Sequence, residues 1–182
     1  WLQSSRPRVA SSQVGSRALS RLYEIGRAVA SEGKLDTLLA RIVEIAIEAV
    51  GADRGLLVLR ESTSGALYAA ASHGVEERTA NDAITISHSV LAQASRGRAV
   101  LSRHALEDPQ LAQAKSVALF GIRSLMCVPL TAGSEVLGTL YVDSRTNSDG
   151  FGPEQLEFLE AIADQAAVAL SYARLLGQVS LE

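Results

Sequence analysis

The sequence predicts an α+β fold in which a central antiparallel sheet of about five to six strands carries the N- and C-terminal helices on one face and small helices and loops on the other. Apolar residues recur at helical spacing towards both ends of the chain, and short apolar runs bounded by turn residues fill the middle. The stretch from Ser124 to Leu170 combines both patterns: two apolar strands joined by a tight polar turn precede a firmly capped helix.

The composition is that of an ordinary globular domain. The chain has 182 residues, of which 47% are apolar and 20% charged, so one domain with a real core is expected. A net charge of -3 gives no attraction to nucleic acid or to an anionic membrane. The single cysteine, Cys127, excludes an intrachain disulfide and a CxxC pair, which favours a cytoplasmic protein.

The two ends of the chain are expected to lie outside the domain. Residues 1–15 are rich in serine and arginine and are typical of a linker, the domain is expected over 16–178, and 179–182 form a tail. Because the first residue is Trp1, we expect a piece of a longer protein, with Leu181 and Glu182 as a cloning remnant.

Two helices are predicted before the first strand. The first carries one apolar face with spacings of three and four, formed by Leu19, Leu22, Ile25 and Val29. Gly33 ends it. The second covers 35–50 with a broader apolar face, has Asp36 in its first turn and ends at Gly51.

The middle of the chain predicts strands and short helices. The predicted strands are 54–60, 66–72, 83–87, 98–102, 124–130 and 135–143. The turns at 61–65 and 131–134 make hairpins of the first two and the last two strands. Short helices are predicted at 89–96 and from Pro109 to about Phe120.

The last helix has a clear beginning. Pro153 occupies its first position, Gln155 its third, and Phe151 reaches Leu156 as a hydrophobic staple. One apolar seam then passes through Leu156, Leu159, Ala163, Ala166, Leu170 and Ala173. A second passes through Phe158, Ile162, Gln165, Ala169, Tyr172 and Leu176.

Two seams on one helix predict two partners. One can cover the protein's own sheet, and the other can face a partner helix, whose close approach the alanines allow. Burial of both seams in one protomer is the alternative. The expected dimerisation residues are Leu19, Leu22, Ile25, Val29, Leu159, Ala163, Ala166, Leu170 and Ala173.

Three segments carry a resemblance to a known family. They are SLMCVPL at 124–130, VLGTLYVDS at 136–144, and FGPE at 151–154 leading into LEAIADQAAVAL at 159–170. In this order they resemble the GAF domains, with a GAF/PAS-like fold, over 16–176. The closest similarity is to GAF domains on the N-terminal side of sigma-54-dependent AAA+ transcriptional activators. Similar domains precede histidine kinases, cyclases and phosphatases, so the resemblance implies an AAA+ or kinase-like output domain in the same full-length chain.

The resemblance also implies a ligand pocket between one sheet face and the small helices and loops of 74–123. Strand alternation places Val136, Gly138, Leu140 and Val142 on one face. It places the more polar set, Leu137, Thr139, Tyr141 and Asp143, on the other. The candidate ligand-binding residues are Ser87, His88, Arg123, Cys127, Thr139, Tyr141 and Asp143.

The residues that bind ligands or catalyse reactions in known members of this family are mostly missing from this sequence. Neither Lys34 nor Lys115 follows an asparagine, so the Asn-Lys pair of cyclic-nucleotide-binding members is absent. Val128 follows Cys127, unlike the Cys-His typical of bilin attachment, and methionine-sulfoxide reductases of this fold need several cysteines. An iron-based gas sensor is a further alternative. Its ligands would be Cys127 and Asp143 with Asp108, Glu107, His104 or His88.

The sequence therefore predicts a non-catalytic protein. It has no GxSxG elbow, Walker loop, HExxH or paired carboxylates on one periodic face. We expect a homodimeric regulatory sensor that binds a small molecule and transmits the signal through its terminal helices. A ligand-free dimerisation domain is the alternative. No resident cofactor, nucleic acid or membrane partner is expected.

Overall fold

A computed structural model describes residues 16, 17, 20, 35–75, 88–111 and 115–179, with the side chains of all of these except 88, 115, 116 and 176–179. Ser16, Arg17 and Ser20 are helical. The predicted strand 83–87 and four predicted dimerisation residues lie outside the described residues; the four are Leu19, Leu22, Ile25 and Val29.

Helices and strands are interspersed along the described residues. The helices are α1 (Leu35–Val50), α2 (His88–Ala94), α3 (Lys115–Leu119) and α4 (Pro153–Val179). The strands are β1 (Arg54–Arg60), β2 (Leu67–His73), β3 (Val100–Ser102), β4 (Ser124–Ala132) and β5 (Glu135–Ser144). The helix predicted from Pro109 begins instead with a turn, in which Leu111 N donates to Asp108 O at 2.9 Å, and α3 is described only from Lys115.

The strands form one five-stranded sheet in the order β2-β1-β5-β4-β3, and all neighbours are antiparallel. The predicted α+β class is confirmed. β5 is the central strand, with Asp143 opposite Arg54 of β1 and Tyr141 opposite Cys127 of β4. The residues of β5 from Val136 to the end of the strand are half-buried or buried, because a strand flanks β5 on each side and other elements pack on both faces of the sheet.

α1 and α4 cover one face of the sheet, here called the helix face. They are amphipathic, and their apolar sides pack on alternate residues of the strands. The core on this side includes Leu38, Ile42, Leu57, Leu59, Met126, Val128, Leu140, Val142, Leu159 and Leu170. Gly51 ends α1 with a φ of 69°, a conformation that favours glycine.

The opposite face, here called the small-helix face, has its own core. α2, α3 and the loops around them pack there on the other alternating set of strand residues. This core includes Leu56, Val58, Val90, Leu91, Val117, Ile122, Leu125, Cys127 and Tyr141. The small-helix face is where the family resemblance predicts a ligand.

A β-bulge in β5 places Leu137 on the face of the sheet opposite to the predicted one. Leu130 pairs with Gly138 but Thr131 pairs with Val136, so Leu137 is an extra residue in β5. An extra residue breaks the two-residue alternation. Leu137 therefore packs in the helix-face core instead of joining Thr139 on the small-helix face.

The beginning of α4 is as predicted, and its first seam packs in the protomer's own core. Gly152 N donates to Gln155 Oε1 at 2.9 Å, and Phe151 is completely buried. Four of the predicted dimerisation residues are also completely buried in the protomer's own core: Leu159, Ala163, Ala166 and Leu170. Within this protomer, the sheet and α1 cover them. Ala173 is half-buried.

Among the described residues, none of the helices combines the length and the apolar character needed to cross a membrane.

Candidate functional site

Strands β4 and β5 bring four of the seven predicted ligand-binding residues to the small-helix face: Cys127, Thr139, Tyr141 and Asp143. All four are buried. Arg123 lies before β4 with an exposed side chain. Ser87 lies outside the described residues, and so does the side chain of His88 at the beginning of α2.

Asp143 is held by an arginine that the sequence prediction missed. Arg54 Nε donates to Asp143 Oδ1 at 2.8 Å and Arg54 Nη2 donates to Oδ2 at 2.7 Å, while Tyr141 Oη donates to Oδ2 at 2.9 Å. The ring of Phe120 lies 5.4 Å from the Arg54 guanidinium carbon. Burial lowers the pKa of Arg54, but the hydrogen bonds and charge of Asp143 outweigh it, so the pKa is raised. Asp143 is therefore occupied as a structural ion-pair partner.

Cys127 is a buried, unreactive thiol. Burial raises its pKa to about 12, and the neighbouring Thr139 hydroxyl lowers it only in part. A thiol with such a pKa stays protonated near neutral pH, so it is a poor nucleophile. Thr139 Oγ1 is itself buried without an oxygen or nitrogen hydrogen-bond partner among the described residues.

The iron hypothesis gains no support from these positions. In the part of the chain that the structure describes, no three His, Cys, Asp or Glu side chains come close enough to hold a metal ion. Asp143 bonds Arg54, and Asp108 accepts a hydrogen bond from Ser102 Oγ at 2.9 Å and from Gln110 N at 2.9 Å.

A second carboxylate, Asp53, ties the start of β1 to the loop between β5 and α4. Its Oδ2 accepts hydrogen bonds from Ser144 Oγ at 2.9 Å, Arg145 N at 2.7 Å and Thr146 N at 3.1 Å. Burial raises the pKa of Asp53, but the hydrogen bonds together lower it by more, so the pKa lies below its usual 3.8. Asp53 thus fixes the loop that leads into α4.

A cleft of about 260 Å³ lies on the small-helix face, between the end of α2 and the β1–β2 hairpin. It is lined by Arg60, Gly65, Leu67, Leu91, Ala92, Ser95 and Arg96. None of the five predicted ligand-binding residues whose side chains the structure describes lines it. Sequence reasoning missed these residues because no motif marks them: Arg60 ends a strand, Arg96 follows a short helix, and only the fold brings them together.

The arrangement of elements and the motifs in β4, β5 and α4 agree with a comparison against protein families. The model of the GAF domain matches residues 34–170. The chain belongs to the GAF domain family. GAF domains are regulatory domains.

Solved structures show the same fold. The GAF domain of a protein described as a sensor histidine kinase from Pseudomonas syringae pv. tomato has 22% identity and a TM-score of 0.60, with coverage of 93% of this chain and 99% of that one. The GAF domain of a phosphoenolpyruvate-protein phosphotransferase from Coxiella burnetii has 18% identity and a TM-score of 0.62, covering 88% and 98%. A GAF domain/HD domain protein from Geobacter sulfurreducens has 13% identity and a TM-score of 0.62, covering 80% and 98%. A comparison with curated protein sequences finds no match.

Proposed function

We propose that this GAF domain is a non-catalytic, cytoplasmic sensor and dimerisation domain of a larger signalling protein. It receives a small molecule on the small-helix face and transmits the signal through α4 to an output domain. The observation that carries the proposal is the position of α4, which packs in the core on one side and presents apolar side chains to solvent on the other.

The proposed dimer contact is the α4 stripe, defined as Val168, Tyr172 and Leu175. These residues are four and three positions apart, so they share one helix face, and they are 65%, 55% and 60% exposed. Four of the six exposed positions in the first half of α4 are acidic instead: Glu154, Glu157, Glu160 and Asp164. An apolar stripe on the second half is typical of a helix that pairs with another helix.

Transmission requires that the ligand prefer one of two arrangements of the domain. A ligand on the small-helix face is one sheet layer away from α4, because β4 and β5 contribute Cys127 and Tyr141 to that face and Val128 and Leu140 to the helix face. A shift of these strands therefore reaches α4 directly. The same helix leads towards the end of the chain described here.

For the output domain we propose an AAA+ ATPase of the sigma-54-dependent activators, on the basis of the motifs in β4, β5 and α4. A kinase-like output is the alternative, since one solved structure of the same fold comes from a protein described as a sensor histidine kinase. Neither proposal includes a direct contact with nucleic acid or a membrane.

A second candidate function is ligand-free dimerisation. It is favoured by the centre of the small-helix face, where Cys127, Thr139 and Tyr141 are buried and leave that part of the sheet covered. The cleft beside α2 favours the sensor instead, because polar groups face open space there.

Sedimentation velocity of Tyr172→Glu tests the dimer. We expect wild type to sediment as a dimer and Tyr172→Glu to shift to monomer with an unchanged far-ultraviolet circular dichroism spectrum. Tyr68→Glu is the matched control, because Tyr68 is a similarly exposed tyrosine on β2, far from the α4 stripe in sequence. A monomeric wild type, or identical sedimentation of all three proteins as dimers, would contradict the proposed interface.

Native mass spectrometry of the same samples distinguishes the sensor from the ligand-free dimerisation domain, since only a sensor retains a small molecule.

A further inference from the structure

The cleft between α2 and the β1–β2 hairpin has a strongly one-sided charge. Seven described residues line it; two of them, Arg60 and Arg96, are arginines, and none of the seven is acidic. Arg60 follows Leu56 and Val58 on the small-helix face of β1, and Arg96 follows the end of α2. Two cationic side chains from separate elements thus meet at one cavity of about 260 Å³.

Neither arginine is neutralised within the described residues. The ion pairs found there join Arg41 to Glu44 and Arg54 to Asp143. The acid next to Arg60 in sequence, Glu61, accepts a hydrogen bond from Ser64 Oγ inside the hairpin turn. The cleft therefore presents two guanidinium groups whose charge an anion can satisfy, and a guanidinium matches carboxylate oxygens two at a time.

Ser95 adds a buried hydroxyl that lacks a partner. Its Oγ is buried and makes no hydrogen bond to any described residue, and Ser95 is one of the residues that line the cleft. By contrast, the hydroxyl of Ser171 on α4 has a partner, since its Oγ donates to Ala167 O at 2.8 Å. A buried hydroxyl without a partner destabilises the protein, so the cleft gains from a ligand that accepts this hydrogen bond.

The remaining lining is apolar. Leu91 is buried in the core of the small-helix face, and Leu67 packs against the same core. Ala92 adds a small, half-buried side chain. The cavity lies below the usual 300–1,000 Å³ range of sites for drug-sized molecules. It suits a short apolar segment joined to a charged group.

From these four observations we infer that the cleft binds a small organic carboxylate, with Arg60 and Arg96 on its oxygens, the Ser95 hydroxyl donating to one of them, and the apolar part against Leu67 and Leu91. This inference rests on the proposed sensor function and names the chemical class of its ligand. The site is distinct from the centre of the sheet, where Asp143 already has a cationic partner.

Benzoate and benzamide test the inference, since they share a shape and differ in charge. With the 182-residue protein, we expect sodium benzoate to raise Tm above that in sodium chloride of equal ionic strength, and benzamide to leave it unchanged. In calorimetric titration, Arg60→Ala and Arg96→Ala each weaken benzoate binding about tenfold or more. Arg98→Ala, an equally charged change at an exposed position outside the cleft, keeps wild-type affinity.

Ser95→Ala gives a second, independent readout. It removes the unpartnered hydroxyl, so Tm of the free protein rises while benzoate binding weakens. A hydroxyl with only a structural role would lower Tm on removal and leave affinity unchanged, which would overturn its assignment as a ligand group.

The inference is overturned if benzoate has no effect beyond sodium chloride, or if the two arginine variants bind it as wild type does. It is also overturned if native mass spectrometry finds a neutral molecule retained equally by wild type and Arg60→Ala. In that last case the sensor function stands and only the ligand class fails. Loss of the dimer in the sedimentation experiment bears on the proposed function alone.

Discussion

Arg54 and Asp143 face each other across the β1–β5 pair and form a two-pronged ion pair, with N–O distances of 2.8 and 2.7 Å. Both side chains are buried. Tyr141 Oη bonds the same carboxylate, and the ring of Phe120 lies over the guanidinium. The pair therefore fastens the central strand to β1 and to the chain after α3.

Removal of one member leaves the other charged and buried. We expect Arg54→Met and Asp143→Leu each to lower the free energy of unfolding by about 3–5 kcal/mol, and the double variant to lose less than their sum. Arg41→Met is the control, because Arg41 pairs with Glu44 on the exposed side of α1 and such pairs contribute about 1 kcal/mol at most. Urea unfolding measures all four variants. If Arg54→Met and Arg41→Met lose equal free energies of unfolding, then burial does not make the Arg54–Asp143 pair more important for stability than an exposed pair.

The Cys127 thiol is predicted to be inert in the folded protein. Because burial raises its pKa to about 12, almost no thiolate exists at mildly alkaline pH, and the buried sulfur is closed to reagents. Iodoacetamide should leave the native protein unmodified and should alkylate it fully in concentrated urea, as read by intact mass. Cys127→Ala should retain any benzoate binding. Rapid alkylation of the native protein would contradict the buried, protonated state.

Asp53 predicts a dependence of stability on pH. Its pKa in the folded protein lies below the ordinary 3.8, so its contribution is fully present above 3.8 and is lost as pH falls through the lower folded value. The stability advantage of wild type over Asp53→Asn should therefore be constant near neutral pH and shrink in acid below 3.8. Chemical unfolding at several pH values measures this difference. Asp149→Asn, an exposed change in the same loop, should show a much smaller difference from wild type. A stability advantage of wild type over Asp53→Asn that grows as pH falls would contradict the lowered pKa of Asp53.

Much of the fold can be predicted from the sequence, because the relevant signals are local. Alternation and turn residues locate β4 and β5, and Pro153 with Gln155 marks the beginning of α4 within one residue. α1 is predicted with the same bounds as observed. These elements depend on neighbours a few positions away in the chain.

The site is less predictable, because its contacts are long-range. Arg54 lies 89 residues before Asp143, so no spacing rule joins them. The bulge at Leu137 arises from pairing between two strands, and it changes which face that side chain occupies. The cleft residues Arg60 and Arg96 come to line one cavity only in the folded protein, because they lie 36 positions apart in the chain. Local patterns do not contain this information.

The two sides of α4 give the last prediction. Ala166 is completely buried in the helix-face core, whereas Val168, two positions further along, is 65% exposed. Glutamate at both positions adds the same side chain and charge to the same helix, so the two variants form a matched pair.

Ala166→Glu should destabilise the protomer itself, since the core has neither space nor a partner for the carboxylate. We expect a loss of several kcal/mol in free energy of unfolding, or failure to accumulate folded protein. Val168→Glu should keep Tm of the protomer within a few degrees and weaken self-association, because its side chain projects into solvent from the α4 stripe. Differential scanning fluorimetry and sedimentation velocity on both variants check this. If Ala166→Glu remains fully folded and only dissociates, then the first seam of α4 is the interface and the burial of Ala166 within one protomer is contradicted.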